Sequence, residues 1–255
     1  MILAIDVGNS NICIGAFREK DEAIFTARLR TDPLRTETEY AVVLNDVFSI
    51  HHVNLQDVKG AAISSVVPAL TPILSAAVRM LTGVSALVVG PGIKTGMNLR
   101  IDEPASLGAD LVCTAVGAAE KYPLPAIIID LGTATKITVV DQNKNFLGGM
   151  IAPGVELSLG ALSASAALLP NIGISRTIKV IGTNTVDCMA SGSILGAASM
   201  IDGMIDRYLE VIGDVKTIVA CGGLAKAIIP HCRRKIAMDP ALLLDGVLAI
   251  YHKNC

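Results

Sequence analysis

The sequence predicts a duplicated α/β fold, in which three strands followed by alternating helix and strand occur twice. Two segments carry this reading: MILAIDVGNSN at the start and AIIIDLGTATK from Ala126. Each is an apolar run ending in Asp-x-Gly-polar, as Asp6-Val7-Gly8-Asn9 and Asp130-Leu131-Gly132-Thr133. The composition agrees, since 52% hydrophobic and 17% charged residues supply a large core over 255 residues. A buried strand that stops at Asp and turns through Gly exposes backbone N–H groups and a carboxylate at one point. The amides can cradle phosphate and the carboxylate can hold a metal ion or its waters. Two such hairpins predict a duplicated domain that clamps one nucleotide between its halves.

The elements follow in order. Strands are expected at 1–5, 11–17 and 22–30, the last two partly alternating. Helical periodicity runs over 36–52 after Thr36, whose partner Glu39 completes a capping box. KGAAISSVV reads as a strand, Pro68–Leu81 as a helix, SALVVG as a strand and Ser106–Lys121 as a helix that YPLP ends. The second half repeats the theme with strands at 126–130, 136–141 and 145–151 and a helix from about 154. A long helix over Thr183–Val211, a strand over Thr217–Cys221 and a last helix from Pro240 complete it. With no flexible linker between them, the domains are expected at 1–120 and 121–255.

Composition also excludes. A net charge of −2 gives no electrostatic case for nucleic acid or an anionic membrane. Residues 60–78 and 157–175 are uncharged, but Pro68, Pro72 and many Ser, Thr and Gly make them core elements rather than spans of about 20 apolar residues. Met1–Ile5 meets Asp6 at once, so no signal peptide is expected and the chain is read as cytoplasmic. Six cysteines without a CxxC pair, and four histidines without ligand spacing, read as reduced thiols and no zinc site.

Several motifs carry chemistry. In Asp6-Val7-Gly8-Asn9-Ser10-Asn11, Gly8 allows the tight turn while Asn9, Ser10 and Asn11 add donors for phosphate oxygens. A plain turn-rich hairpin has the same composition; the matching Asp130–Thr135 hairpin, with its hydroxyls, favours the functional reading. Gly222-Gly223 follows a strand and precedes LAKAII, which lets a flat base or ribose approach the backbone. Gly108-Ala109-Asp110 opens a helix; Asp110 is either a carboxylate stabilised by the helix dipole or the base that accepts a substrate hydroxyl proton. Gly148–Gly154 and Gly182-Thr183-Asn184-Thr185 are turn-rich helix entries.

Taken in order, DVGNSN, ISSVVP, VVGPGIKTGMNLR, GAD, IDLGTAT, GGMIAPGVELSLGAL, GTNT, CGGLAK and DPALLLDGVLAIY resemble the type III pantothenate kinases along essentially the whole chain. The resemblance implies the actin/hexokinase-like fold of the acetate and sugar kinase/Hsp70/actin superfamily. It implies a homodimer that moves the γ-phosphoryl group of ATP to the primary hydroxyl of pantothenate, the first step towards coenzyme A, using Mg2+ and a monovalent cation (K+ or NH4+). Carried onto this chain, Asp6, Val7, Gly8, Asn9, Ser10, Asn11, Ile12 and Cys13 form the phosphate loop, with Asp6 near the magnesium. Asp110 is the general base, Asp130 binds the monovalent cation, Thr133 contacts ATP and Thr185 contacts pantothenate. Gly108 and Ala109 complete the acceptor pocket.

This chain departs from the family pattern on the acceptor side. Leu111 stands where the family has Arg after Gly-Ala-Asp, Ile101 where it has Tyr, and Ser165 and Leu168 where it has Arg and Lys. Two alternatives to pantothenate therefore stand beside it: a different, less polar alcohol, or a non-catalytic regulatory role like that of the similar Bvg accessory factor. Lys136 replaces the family's usual Thr. It reads either as a solvated lysine at a strand start or as an ammonium standing in for the monovalent cation at Asp130.

Overall fold

The structure is a computed structural model and describes residues 1–18, 22–174 and 178–255; residue 175, the end of the apolar stretch 157–175, lies outside them. Up to Lys121 the elements are β1 (Ile2–Val7), β2 (Asn11–Phe17), β3 (Ala23–Arg30), α1 (Glu37–Ile50), β4 (Gly60–Ser65), α2 (Leu70–Thr82), β5 (Leu87–Val88), β6 (Asn98–Leu99) and α3 (Ala109–Lys121). Then come β7 (Ala126–Leu131), β8 (Ala134–Val140), β9 (Asn145–Pro153), α4 (Val155–Ser165), α5 (Thr185–Ile212), β10 (Thr217–Cys221), α6 (Ala225–Ile228), β11 (Ala237–Met238) and α7 (Leu242–Asn254).

These elements form two compact units. The first comprises Met1–Met97, Asp102–Glu120 and Ala241–Cys255, and the second Asn98–Ile101 and Lys121–Pro240. The contiguous division at 120/121 read from the sequence therefore differs at two places. β6 pairs in parallel with β9, and α7 packs on β1, β2 and β4.

The first sheet has strand order β3-β2-β1-β4-β5, and the second β11-β10-β7-β8-β9-β6. Read from the other edge, the second repeats the first, with β6 added outside β9. In both, the opening three strands are antiparallel and the next two join the first in parallel. The strand expected over SALVVG shrinks to two residues, and β6 and β11 are pairs too short for any periodicity to reveal.

In the first unit, alternation along β1 sends Leu3, Ile5 and Val7 to a core with Tyr40, Leu44 and Phe48 of α1 and Leu70, Leu74 and Val78 of α2. Ala4 faces the other way, into a second core with α3 and α7. Period two puts Asp6 on that same face. α3 and α7 approach backbone to backbone: a Cβ at Gly246 would collide with the Cys113 carbonyl, and one at Gly117 with the Leu242 carbonyl. Every residue from Ala109 to Ala118 is buried as a result. The Thr36 capping box is formed, Glu39 N donating to Thr36 Oγ1 at 3.4 Å and Thr36 N to Glu39 Oε2 at 2.8 Å.

In the second unit, Ile127, Ile129 and Leu131 of β7 enter a core with Val155 and Leu159 of α4 and Met189, Ile194, Ala198, Ile201 and Ile205 of α5. Asp130 faces the opposite side of the sheet. α5 is long and apolar enough, by length and composition alone, to cross a membrane, and 28% of that stretch is buried within the protein. Its inward side packs on the sheet, while Asp202, Asp206, Arg207 and Glu210 interrupt the rest.

Candidate functional site

Of the predicted residues, Asp6–Cys13 and Gly108–Leu111 lie in the first unit, and Ile101, Asp130, Thr133, Thr185, Gly222 and Gly223 in the second. In the first, Gly8 N donates to Asn11 O at 2.9 Å and closes the β1–β2 turn. Thr31, just beyond β3, ties the loop down: its Oγ1 donates to Gly8 O at 2.6 Å and its N to Ser10 O at 3.1 Å. Asn9 and Ser10 are exposed at the tip, whereas Val7 and Ile12 point into the core and can offer a phosphate only backbone.

Asp6 ends β1 with a buried carboxylate. Ser64, opposite it in the parallel register of β4, donates its hydroxyl to Asp6 Oδ1 at 2.8 Å. Cys113 of α3 lies fully enclosed beside them. Burial pushes its thiol far above the ordinary range, and the negative charges of Asp6 and Asp110 push the same way, against a hydrogen bond with Ser64. One buried face thus gathers Asp6, Ser64, Cys113 and Asp110. Of these, Ser64 and Cys113 were not read as site residues from the sequence; the ISSVVP string was the only signal of the first.

Asp110 lies in the first turn of α3, where the helix dipole favours a carboxylate. Its Oδ1 accepts from Leu111 N at 2.8 Å and folds back over Gly108, where a Cβ would stand 2.6 Å from it. The glycine leaves room for the carboxylate. Ala109 and Leu111 are buried, so Leu111 brings hydrocarbon beside Asp110 and no polar group.

In the second unit, Gly132 N donates to Ala134 O at 3.0 Å and closes a β7–β8 turn one residue shorter than the first. Thr133 is exposed at its tip, and its carbonyl accepts from Gly154 N at 2.9 Å. Gly222 has φ +90°, and a Cβ there would sit 2.5 Å from Leu131 O, so only glycine fits against β7. Gly223 beside it is exposed. Thr185 is the exposed first residue of α5; Asn184 caps the helix by accepting from Asp187 N at 2.9 Å. Ile101 is half-buried and lies over Gly148. A groove of about 510 Å³ between α4 and α5 is lined by Thr135, Ser158, Leu162, Cys188, Met189 and Gly196, among others. None of the predicted site residues lines it.

Asp130 and Lys136 face each other in the antiparallel register of β7 and β8. Lys136 Nζ donates to Asp130 Oδ2 at 2.8 Å, and the side chains keep only 17% and 12% of their exposure. The monovalent cation implied by the resemblance does not fit here. A second unit charge about 4 Å from the ammonium would be repelled by about 4 kcal/mol at an effective dielectric of 20. Magnesium does fit the first unit, because Asp6 is a hard oxygen donor and this ion takes one or two carboxylates plus phosphate oxygens. Among the described residues no three His, Cys, Asp or Glu are placed to hold one metal ion together.

A sequence model of the type III pantothenate kinase family matches residues 2–207. Proteins named type III pantothenate kinase from Exiguobacterium sibiricum and Halalkalibacterium halodurans are 41% and 39% identical over 255 and 254 residues, each match covering 100% of both chains. Among solved structures, a Baf family transcriptional activator, described as putative, from Campylobacter jejuni aligns with a TM-score of 0.61 at 17% identity, over 98% of each chain. Component A of the (R)-2-hydroxyglutaryl-CoA dehydratase of Acidaminococcus fermentans gives 0.58 at 17%, over 99% and 96%. A ROK family glucokinase from Streptomyces griseus, in complex with glucose and AMPPNP, gives 0.55 at 14%, over 99% and 98%. The fold is thus the duplicated actin/hexokinase-like α/β fold, and with a match of this extent the chain belongs to the type III pantothenate kinase family.

Proposed function

We propose that this protein phosphorylates pantothenate with ATP to give 4′-phosphopantothenate, the first step of coenzyme A synthesis. Family membership supports the reaction, and the buried face holding Asp6, Ser64 and Asp110 supports the assignment of roles. Asp110 accepts the proton of the attacking primary hydroxyl as its oxygen bonds to the γ-phosphorus and the bond to the ADP oxygen breaks. Gly108 keeps that carboxylate in place, and Ala109, Leu111, Ile101 and Thr185 are assigned to the acceptor.

The loop from Asp6 to Cys13 is assigned to the phosphates, with Asn9, Ser10 and Asn11 as donors. Thr133 is assigned to ATP, and Gly222 and Gly223 to its base or ribose. Asp6 would hold magnesium, which when bound offsets phosphate charge; Ser64 steadies the carboxylate that receives it. A homodimer is part of this reading. Leu157 and Leu162 of α4 and Val186 and Val211 of α5 are exposed, apolar surface of the kind a second copy would cover. Among the described residues no cysteine is in a disulfide, which supports a reducing, cytoplasmic setting.

The test is ADP release coupled to pantothenate, beside Asp110→Asn. The variant is expected to lose 10²- to 10⁴-fold in kcat while still binding ATP. Equal turnover by the variant would remove Asp110 from its role. No turnover by folded, ATP-binding wild-type protein would favour the alternative acceptor or the regulatory role, for which Leu111 and Ile101 are the specific observations.

A further inference from the structure

We infer that Lys136 is a built-in replacement for the monovalent cation, so that the second hairpin of this enzyme works without potassium or ammonium in solution. The inference rests on the kinase reading above and concerns the charge that the Asp130 hairpin needs. Three observations carry it. Lys136 lies opposite Asp130 in the β7–β8 ladder, so the strand register, and not a chance rotamer of a long surface chain, delivers its ammonium to that carboxylate. The contact is 2.8 Å and largely enclosed, whereas a solvated strand-start lysine would keep its head in water. Lastly, the corresponding position of the first hairpin, opposite Asp6, is Cys13, which brings no ammonium.

An ammonium is equal in charge to a potassium ion and, as three N–H donors, satisfies the carboxylate directly. It stays attached to the strand, so no ion has to be captured from solution. The carboxylate is held next to the turn at Gly132 and Thr133, where a phosphate-bearing substrate is expected. A fixed positive charge there offsets the negative charge of the carboxylate towards such a substrate. Lys136 is thus a positioning and charge-balancing residue rather than a catalytic one.

Two readouts test this, on wild-type protein and on Lys136→Thr, with Lys136→Met as a control that removes the charge without adding an oxygen. The first is the melting temperature during titration of KCl against choline chloride at constant ionic strength. Wild-type protein is expected to respond equally to both salts, while Lys136→Thr gains a saturable stabilisation by potassium and Lys136→Met does not. The second is ATP-dependent phosphorylation of pantothenate in the same salts. Wild-type turnover should change less than twofold between them, and Lys136→Thr should fall at least tenfold in choline and recover with potassium.

A steep potassium requirement in wild-type protein, or a Lys136→Thr enzyme equally active in choline, overturns the inference. So does a melting temperature insensitive to potassium in both proteins, because removal of the lysine must open a cation site. Absence of pantothenate phosphorylation in every salt would count against the kinase reading alone, as the melting experiment still decides the role of Lys136.

Discussion

Asp6 and Asp130 end the central strands of two sheets with the same strand order, yet different chemistry holds them. Asp6 takes a hydroxyl from Ser64 on the parallel neighbour strand, a bond that adds no charge. Asp130 takes an ammonium from Lys136 on the antiparallel neighbour. A duplicated backbone therefore fixes where a carboxylate stands but not what charge surrounds it. The first hairpin is left suited to a divalent metal, the second carries its own cation.

The sharpest way to break this comparison is to neutralise each carboxylate and compare stability. Asp130→Asn removes the negative charge facing an enclosed ammonium and is expected to cost on the order of 3 kcal/mol. Asp6→Asn leaves the Ser64 hydroxyl able to donate to an amide oxygen and is expected to cost about 1 kcal/mol. Urea midpoints measure both, and equal losses would mean that the two hairpins are held alike.

A smaller effect asks whether the first unit's carboxylates are arranged for chemistry rather than for stability. Gly108→Ala puts a Cβ where the Asp110 carboxylate now folds, and a side-chain end can swing away at little cost. Turnover is expected to fall about ten- to a hundredfold with the melting temperature nearly unchanged. Loss of stability without loss of turnover would make Gly108 a packing residue only.

The mildest test reads the electrostatics through Cys113. Its raised pKa keeps the thiol protonated, so at pH 8 it is expected to resist alkylation that takes the exposed Cys188 and Cys255. Mass spectrometry of the labelled peptides checks this. Rapid labelling of Cys113 in folded protein would show the face around Asp6 and Asp110 to be open.

Much of this was legible in the sequence for plain reasons. A strand buried on both faces reads as an unbroken apolar run, so the stops at Asp6 and Asp130 stood out. Lys136 stood out only as a departure from the family's usual Thr, with a solvated lysine at a strand start as the other reading. What stayed hidden depends on contacts between distant segments. Ser64 reaches Asp6 across 58 residues of chain through a parallel register that no local pattern encodes. Thr31 is an ordinary residue until β3 brings it to the first turn. The destination of α7 was hidden too, because an apolar helix does not announce which sheet it will cover.

That last helix has a consequence for the order in which the molecule can be completed during synthesis. Residues 121–240 hold nearly all of the second unit, and they are synthesised before residues 242–254 exist. The backbone-close crossing at Gly117 and Gly246 is therefore among the last contacts to be made. Until then one side of the first sheet, the side bearing Asp6, has α3 but lacks the rest of its cover. The half that is translated first thus waits on a helix made after the second unit, and its phosphate hairpin waits with it.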